Sequence, residues 1–79
     1  MKITLKYYGE IAEILDKKEE NLIITSPFSL NDLRFQFLSK SKKLNSLAIK
    51  IAVNNELIDH NISLKKNDVI SFLPPFAGG

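Results

Sequence analysis

The sequence predicts an α+β domain in which one long helix packs on one face of a mixed sheet. Three observations carry this expectation. Polar and apolar residues alternate over residues 2 to 8 and again over 48 to 53, as half-buried strands require. A central stretch repeats its apolar residues at helical spacing behind a clear start signal. The strands after it crowd together without intervening helices, which excludes a regular parallel α/β repeat. At 79 residues there is room for one small core, since a domain of this size buries only about 60% of the surface its unfolded chain exposes.

The elements follow in order. Residues 2 to 8 place Ile3, Leu5 and Tyr7 on one face and Lys2, Thr4, Lys6 and Tyr8 on the other, and Gly9 ends the strand. Residues 10 to 16 carry Ile11, Ile14 and Leu15 at helical spacing, a short amphipathic helix. Residues 21 to 25 read as a second strand. Ser29 then precedes Leu30, with Asp32 three residues on. A serine oxygen there accepts a bond from an orphan backbone N–H, and an early Asp suits the positive helix end. Leu30, Leu33, Phe37 and Leu38 repeat on one face, and the helix is expected to run to about Lys40. Residues 41 to 46 are polar and basic and read as a loop.

Residues 48 to 53 alternate again, with Ile49, Ile51 and Val53 sharing a face. Asn54-Asn55 signals a turn because asparagine tolerates positive φ. Leu57 and Ile58 read as a short returning strand, residues 65 to 68 as a turn, and 69 to 73 as the last strand. Pro74 and Pro75 stop the sheet, since neither can donate to a ladder. The compact solution is a β-grasp arrangement over residues 1–75, followed by a flexible tail at 76–79. Its helix covers one face of the sheet and leaves the other to water or a partner.

Composition narrows the function. The chain has no cysteine and a single histidine, His60, which removes disulfides, thiolate nucleophiles and imidazole clusters, so no metal site is expected. The net charge of +2 is too small to favour a nucleic-acid partner. Nothing approaches the ~20 unbroken apolar residues of a membrane span, and no secretion signal is visible. The default expectation is the cytoplasm, with no membrane partner.

The end of the chain is its most distinctive chemistry. Pro74 and Pro75 stiffen the exit from the sheet. Gly78 and Gly79 can thread a channel too narrow for a Cβ. The group on offer is the α-carboxylate of Gly79, which is inert toward nucleophiles until activated. Adenylation gives a mixed anhydride that a sulfur donor can attack, leaving a terminal thiocarboxylate.

The strand running into Tyr7-Tyr8-Gly9-Glu10, the Ala52-Val53-Asn54 segment, Leu64 followed by Asn67-Asp68-Val69, and above all Phe72-Leu73-Pro74-Pro75-Phe76-Ala77-Gly78-Gly79 resemble the MoaD family. These are the small subunits of molybdopterin synthase, ubiquitin-like sulfur carriers. The resemblance covers nearly the whole chain, and the Pro-Pro pair is its specific part, since related thiazole-forming carriers usually end in Gly-Gly without it. It implies that a MoeB-like enzyme adenylates Gly79 with ATP, that no cofactor is bound by the chain itself, and that Phe76, Ala77 and Gly78 follow Pro75 into the active site of a MoaE-like large subunit. There the thiocarboxylate gives sulfur to cyclic pyranopterin monophosphate within a heterotetramer, and the catalytic side chains belong to the large subunit. Two departures stand out. Asn67-Asp68 replaces a frequent Gly-Asp, and Phe76 occupies a position more often aliphatic.

Tyr8, Leu57, Leu73 and Phe76 are the expected partner surface, set against the plainer reading that they are scattered exposed apolar residues. His60 reads as a loop residue. Lys40, Lys42 and Lys43 read as a solvated helix end, and Glu10, Glu13 and Asp16 as the wet face of the first helix. Phe35 lies off the apolar face of the long helix and has no functional reading. Two other functions stay open at this level: a modifier joined through Gly79 to lysines of target proteins, and a binding module with a passive tail. Within the carriers, thiazole synthesis or tRNA thiolation is the alternative to molybdopterin synthesis.

Overall fold

A computed structural model describes residues 1–75. Its elements are β1 (Lys2–Tyr7), α1 (Gly9–Leu15), β2 (Glu19–Ile23), α2 (Leu30–Leu38), a 3-10 helix (Lys42–Ser46), β3 (Lys50–Val53), β4 (Glu56–Leu57) and β5 (Val69–Leu73). The strands form one sheet in the order β2-β1-β5-β3-β4. At its centre β1 and β5 run parallel, from Thr4 opposite Val69 to Tyr7 opposite Phe72. The outer pairings are antiparallel. This is the mixed sheet expected of an α+β β-grasp domain.

Alternation sorts the two faces as predicted. Ile3, Leu5 and Tyr7 from β1, Ile51 and Val53 from β3, and Ile70 and Phe72 from β5 are buried together with Leu30, Leu33 and Phe37 of α2. The Phe37 and Phe72 rings stack with centroids 4.0 Å apart and planes within 8°, and Tyr7 sits 5.7 Å from Phe72. Such aromatic pairs add about 0.5–1.5 kcal/mol beyond the area they bury.

The helix start behaves as its residues require. Ser29 Oγ accepts from the backbone N–H of Asp32 at 3.1 Å, and Asp32 Oδ2 accepts from the N–H of Ser29 at 3.0 Å. This is a reciprocal capping box with Asp in the place of the usual Glu. Asn54 and Asn55 both take positive φ, 51° and 69°, as the two-residue turn between β3 and β4 demands. Asn54 also ties that turn to β5. Its Nδ2 donates to Asp68 Oδ1 at 3.0 Å, and its Oδ1 accepts from the N–H of Val69 at 3.0 Å. Asn67 holds the left-handed position before β5, at φ 68°, so the loss of glycine there leaves the turn intact.

Several expectations need correction. The second strand spans Glu19–Ile23, two residues earlier than 21 to 25. The long helix stops at Leu38 after nine residues, because Ser39 Oγ bonds back to the carbonyl of Gln36 at 2.6 Å and closes the turn. Residues 42–46 form a 3-10 helix instead of a loop. Their one apolar residue, Leu44, is fully buried and pins the segment to the core. The returning strand is Glu56–Leu57. Asp16 caps α1 at φ 57° and does not continue its wet face.

Lys40 is the largest correction. It does not simply cap a solvated helix end. Its Nζ lies 2.8 Å from Glu20 Oε2, and the same carboxylate accepts a hydrogen bond from the Tyr7 hydroxyl. Lys17 stands 3.5 Å from the other oxygen. The clasp joins β1, β2 and the residue beyond α2. Hydrogen bonds from Lys40 and Tyr7 hold the Glu20 carboxyl down at about 2, from an ordinary 4.5. Burial, then the bond to Glu20, push the Tyr7 hydroxyl up.

Because the folded Glu20 pKa lies below the unfolded one, its contribution is fully present above about pH 4.5 and fades as pH falls toward about 2. Charged hydrogen bonds contribute about 1.5–3 kcal/mol. Solvent reaches the Lys40 side chain, which is 36% exposed, so we expect Glu20→Gln to cost about 1 kcal/mol near neutral pH. Urea unfolding of both proteins across this pH range checks it: the gap between their midpoints should narrow as acid neutralises Glu20, and a constant gap would rule the clasp out as its source.

Candidate functional site

The parallel pairing of β1 with β5 brings two chain segments to one end of the sheet. One step beyond Tyr7 and Phe72 in the same register come Tyr8 and Leu73. Tyr8 opens α1 in an extended conformation, φ −125° and ψ 151°, and its side chain makes no capping bond. It is 44% exposed. Leu73 is half-buried, and Lys50 lies opposite it on β3.

The sheet face away from α2 carries Tyr8, Leu73 and Leu57. Leu57 pairs with Ala52, and Ala52 pairs with Ser71, so these residues share that face. Leu57 is 61% exposed. Ala52 and Ser71 are 7% and 8% exposed although no helix covers them. The described part of this face thus has small residues, Ala52 and Ser71, at its centre. Thus three of the four residues expected at a partner surface lie on one face. The fourth, Phe76, lies outside the described residues, as do Ala77, Gly78 and Gly79. Of the sequence-predicted exit, Pro74 is half-buried and Pro75 is exposed.

Gly9 entered the sequence reading as the end of a strand and as part of the Tyr7-Tyr8-Gly9-Glu10 resemblance, without its contact to the last strand's exit. Its φ is +54°, and a Cβ added there would sit 3.0 Å from Pro74 Cγ. Glycine therefore lets the proline ring pack directly on the turn between β1 and α1. The contact sets where the chain leaves the fold. A glycine between a strand and a helix, in a chain whose last strand ends in proline, was the available signal.

The groups with shifted pKa lie elsewhere. Tyr7 and Glu20 form the clasp on the helix side of the sheet. Asp59 is lowered by its hydrogen bond from His60, 3.1 Å away on an exposed loop. Among the described residues no three His, Cys, Asp or Glu side chains gather as a metal site, and no helix is long and apolar enough to cross a membrane.

Comparison with known proteins adds identity to this geometry. No curated protein matches the chain by sequence search. Among solved structures, subunit 1 in a complex of subunits 1 and 2 of the molybdopterin-converting factor of Helicobacter pylori is 33% identical, with both chains fully covered and a TM-score of 0.69. The putative molybdopterin converting factor subunit 1 of Pyrococcus furiosus is 21% identical, with a TM-score of 0.84 over 96% of this chain and 99% of that one. Small archaeal modifier protein 1 of Haloferax volcanii shares the fold at 14% identity, with a TM-score of 0.78 over 95% and 98% of the two chains. The sequence also matches the ThiS family over residues 5–79, and so the chain belongs to that family, as a MoaD-like sulfur carrier of ubiquitin-like fold.

Proposed function

We propose that the chain is the sulfur-donor subunit of a molybdopterin synthase working in the cytoplasm, and that Gly79 is its working residue. The observation that carries this reading is the exit. The central strand β5 ends in Leu73, Pro74 is packed on Gly9, Pro75 is exposed, and the sequence continues as Phe76-Ala77-Gly78-Gly79. The 33% identical Helicobacter pylori chain, solved with its subunit 2, supports a large-subunit partner here.

In this reading a MoeB-like enzyme brings ATP to the chain end. A Gly79 carboxylate oxygen attacks the α-phosphorus, pyrophosphate leaves, and the acyl adenylate forms. A sulfur nucleophile then attacks the acyl carbon, AMP departs, and a thiocarboxylate remains. Pro75, Phe76, Ala77 and Gly78 thread this group into a MoaE-like subunit within a heterotetramer. There it passes its sulfur to cyclic pyranopterin monophosphate, and water restores the carboxylate. The chain supplies cargo and docking, while the catalytic side chains are the partner's. Tyr8, Leu57, Leu73 and Phe76 form the docking surface. The family match leaves thiazole synthesis as the competing destination, and copurification with a large subunit or with a thiazole synthase separates the two.

Three outcomes test this. One residue added after Gly79 should leave the thermal midpoint unchanged and abolish molybdopterin formation in a reconstituted assay; continued synthesis by a chain whose intact mass shows the extension would sink the terminal mechanism. Tyr8→Ala should weaken large-subunit binding by about thirtyfold, the cost of removing an aromatic anchor of about 2 kcal/mol, with little change in folding because its side chain caps nothing. Titration calorimetry reads this directly, and unchanged affinity would remove Tyr8 from the surface. Gly9→Ala places a Cβ at positive φ and against Pro74. It should cost about 1–2 kcal/mol in stability and slow sulfur transfer beyond any loss of partner affinity. Transfer at the wild-type rate would show that the contact does not aim the chain end.

A further inference from the structure

The edge of the sheet beyond β3 is only partly covered. The two-residue β4 pairs with Ala52 and Val53, and one further bond, from the N–H of Ile58 to the carbonyl of Ile51 at 3.0 Å, extends the ladder. The chain then departs into the loop that carries Asp59 and His60. Backbone groups of alternate residues in an antiparallel strand point the same way. Ile51 points outward toward the β4 side, so Ile49 does too. Among the described residues no backbone hydrogen bond reaches Ile49. Ile49 lies one residue before β3, and an extended segment whose outward backbone groups are free can accept an added strand.

Beside this edge lies an open groove of about 470 Å³ whose apolar lining includes Ile49, Leu57 and Ile58. Arg34 reaches it from α2, and Lys50 from β3. A second apolar notch of about 150 Å³ adjoins it, sharing Arg34 and Ile49 and adding Leu38 and Leu47. Neither Arg34 nor Lys50 makes an ion pair among the described residues. The one carboxylate on the groove, Asp59, has a fully exposed side chain and is paired with His60 at 3.1 Å. The groove therefore combines two available cations, an apolar floor and, at Ile49, free backbone groups next to β3.

We propose that this groove docks an extended acidic peptide segment of a partner protein. The segment lies along β3 beyond the end of β4 and pairs its backbone with Ile49. It sets a carboxylate between Arg34 and Lys50 and an aliphatic side chain in the notch beside Leu38 and Leu47. Charge complementarity selects the occupant, since a neutral or basic segment would leave both cations uncompensated. The site is separate from the chain end and does not depend on sulfur chemistry.

The test is a nitrogen-15 NMR titration of the full chain with a capped heptapeptide of alternating Glu and Val, and with its Gln/Val and Lys/Val counterparts. The Glu peptide should give saturable shifts at Arg34, Ile49, Lys50 and Ile58. The Gln peptide should bind at least about tenfold more weakly. Arg34→Glu with Lys50→Glu, both exposed positions, should reverse the preference toward the Lys peptide. The proposal fails if no saturable shift appears, if charge reversal leaves binding unchanged, or if the shifts map to Tyr8, Ser71 and Leu73. It fails equally if the Glu peptide binds only a chain ending at Pro75, because the chain's own last residues would then be the occupant.

Discussion

The parallel pairing of β1 with β5 is the constraint on which the rest of this molecule depends. Strands from the two ends of the chain lie side by side and run the same way, so their downstream ends arrive together. The start of α1 and the departure of the chain after Leu73 are then neighbours by topology. Gly9 and Pro74 can touch only because of this. The pairing is also the least local in the sheet, closing a loop of more than sixty residues between Thr4 and Val69. Its loop-closure entropy is repaid by burial at the sheet centre, where Ile3, Leu5, Ile70 and Phe72 are almost wholly removed from water.

Around that pairing the two faces take different work. On the helix side, Phe72 carries the ring of Phe37 at 4.0 Å, and Tyr7 carries its hydroxyl out to Glu20 and Lys40. The clasp satisfies a phenol that burial would otherwise leave costly and fastens β2 to Lys40, two residues past α2. On the open side, small residues at the centre and longer apolar residues around them give a face that can meet another protein without rearranging the core. Substitutions on the open face can thus be made without disturbing the packing of the other.

Much of this was legible in the residues. Alternation in β1 and β3 assigned the core face correctly because strand periodicity leaves one choice once a side is buried. Ser29 and Asp32 marked the helix start, and Asn54, Asn55 and Asn67 marked the turns, because each acts on backbone groups within three residues of itself. What escaped depended on contacts distant in sequence. Lys40 read as a solvated lysine because Glu20 stands twenty positions away. The 3-10 helix read as a loop because a single leucine, Leu44, holds it. Gly9 read as punctuation because its partner, Pro74, lies at the other end of the chain. Of the candidate site, the open-face positions of Tyr8 and Leu73 followed from strand period, whereas the contact between Gly9 and Pro74 did not.

The shifted pKa values invite a catalytic reading, and the geometry argues against it. A perturbed group marks an active site when it faces a place where substrate can sit. Glu20 is lowered chiefly by its bonds from Lys40 and Tyr7, and its other oxygen faces Lys17 at 3.5 Å. The Tyr7 ring is buried against Phe37 and Phe72, on the side of the sheet opposite Tyr8 and Leu73. The perturbation is thus the signature of a structural clasp. It fastens β1 to β2 and to Lys40 beyond α2, on the face of the sheet away from Tyr8 and Leu73.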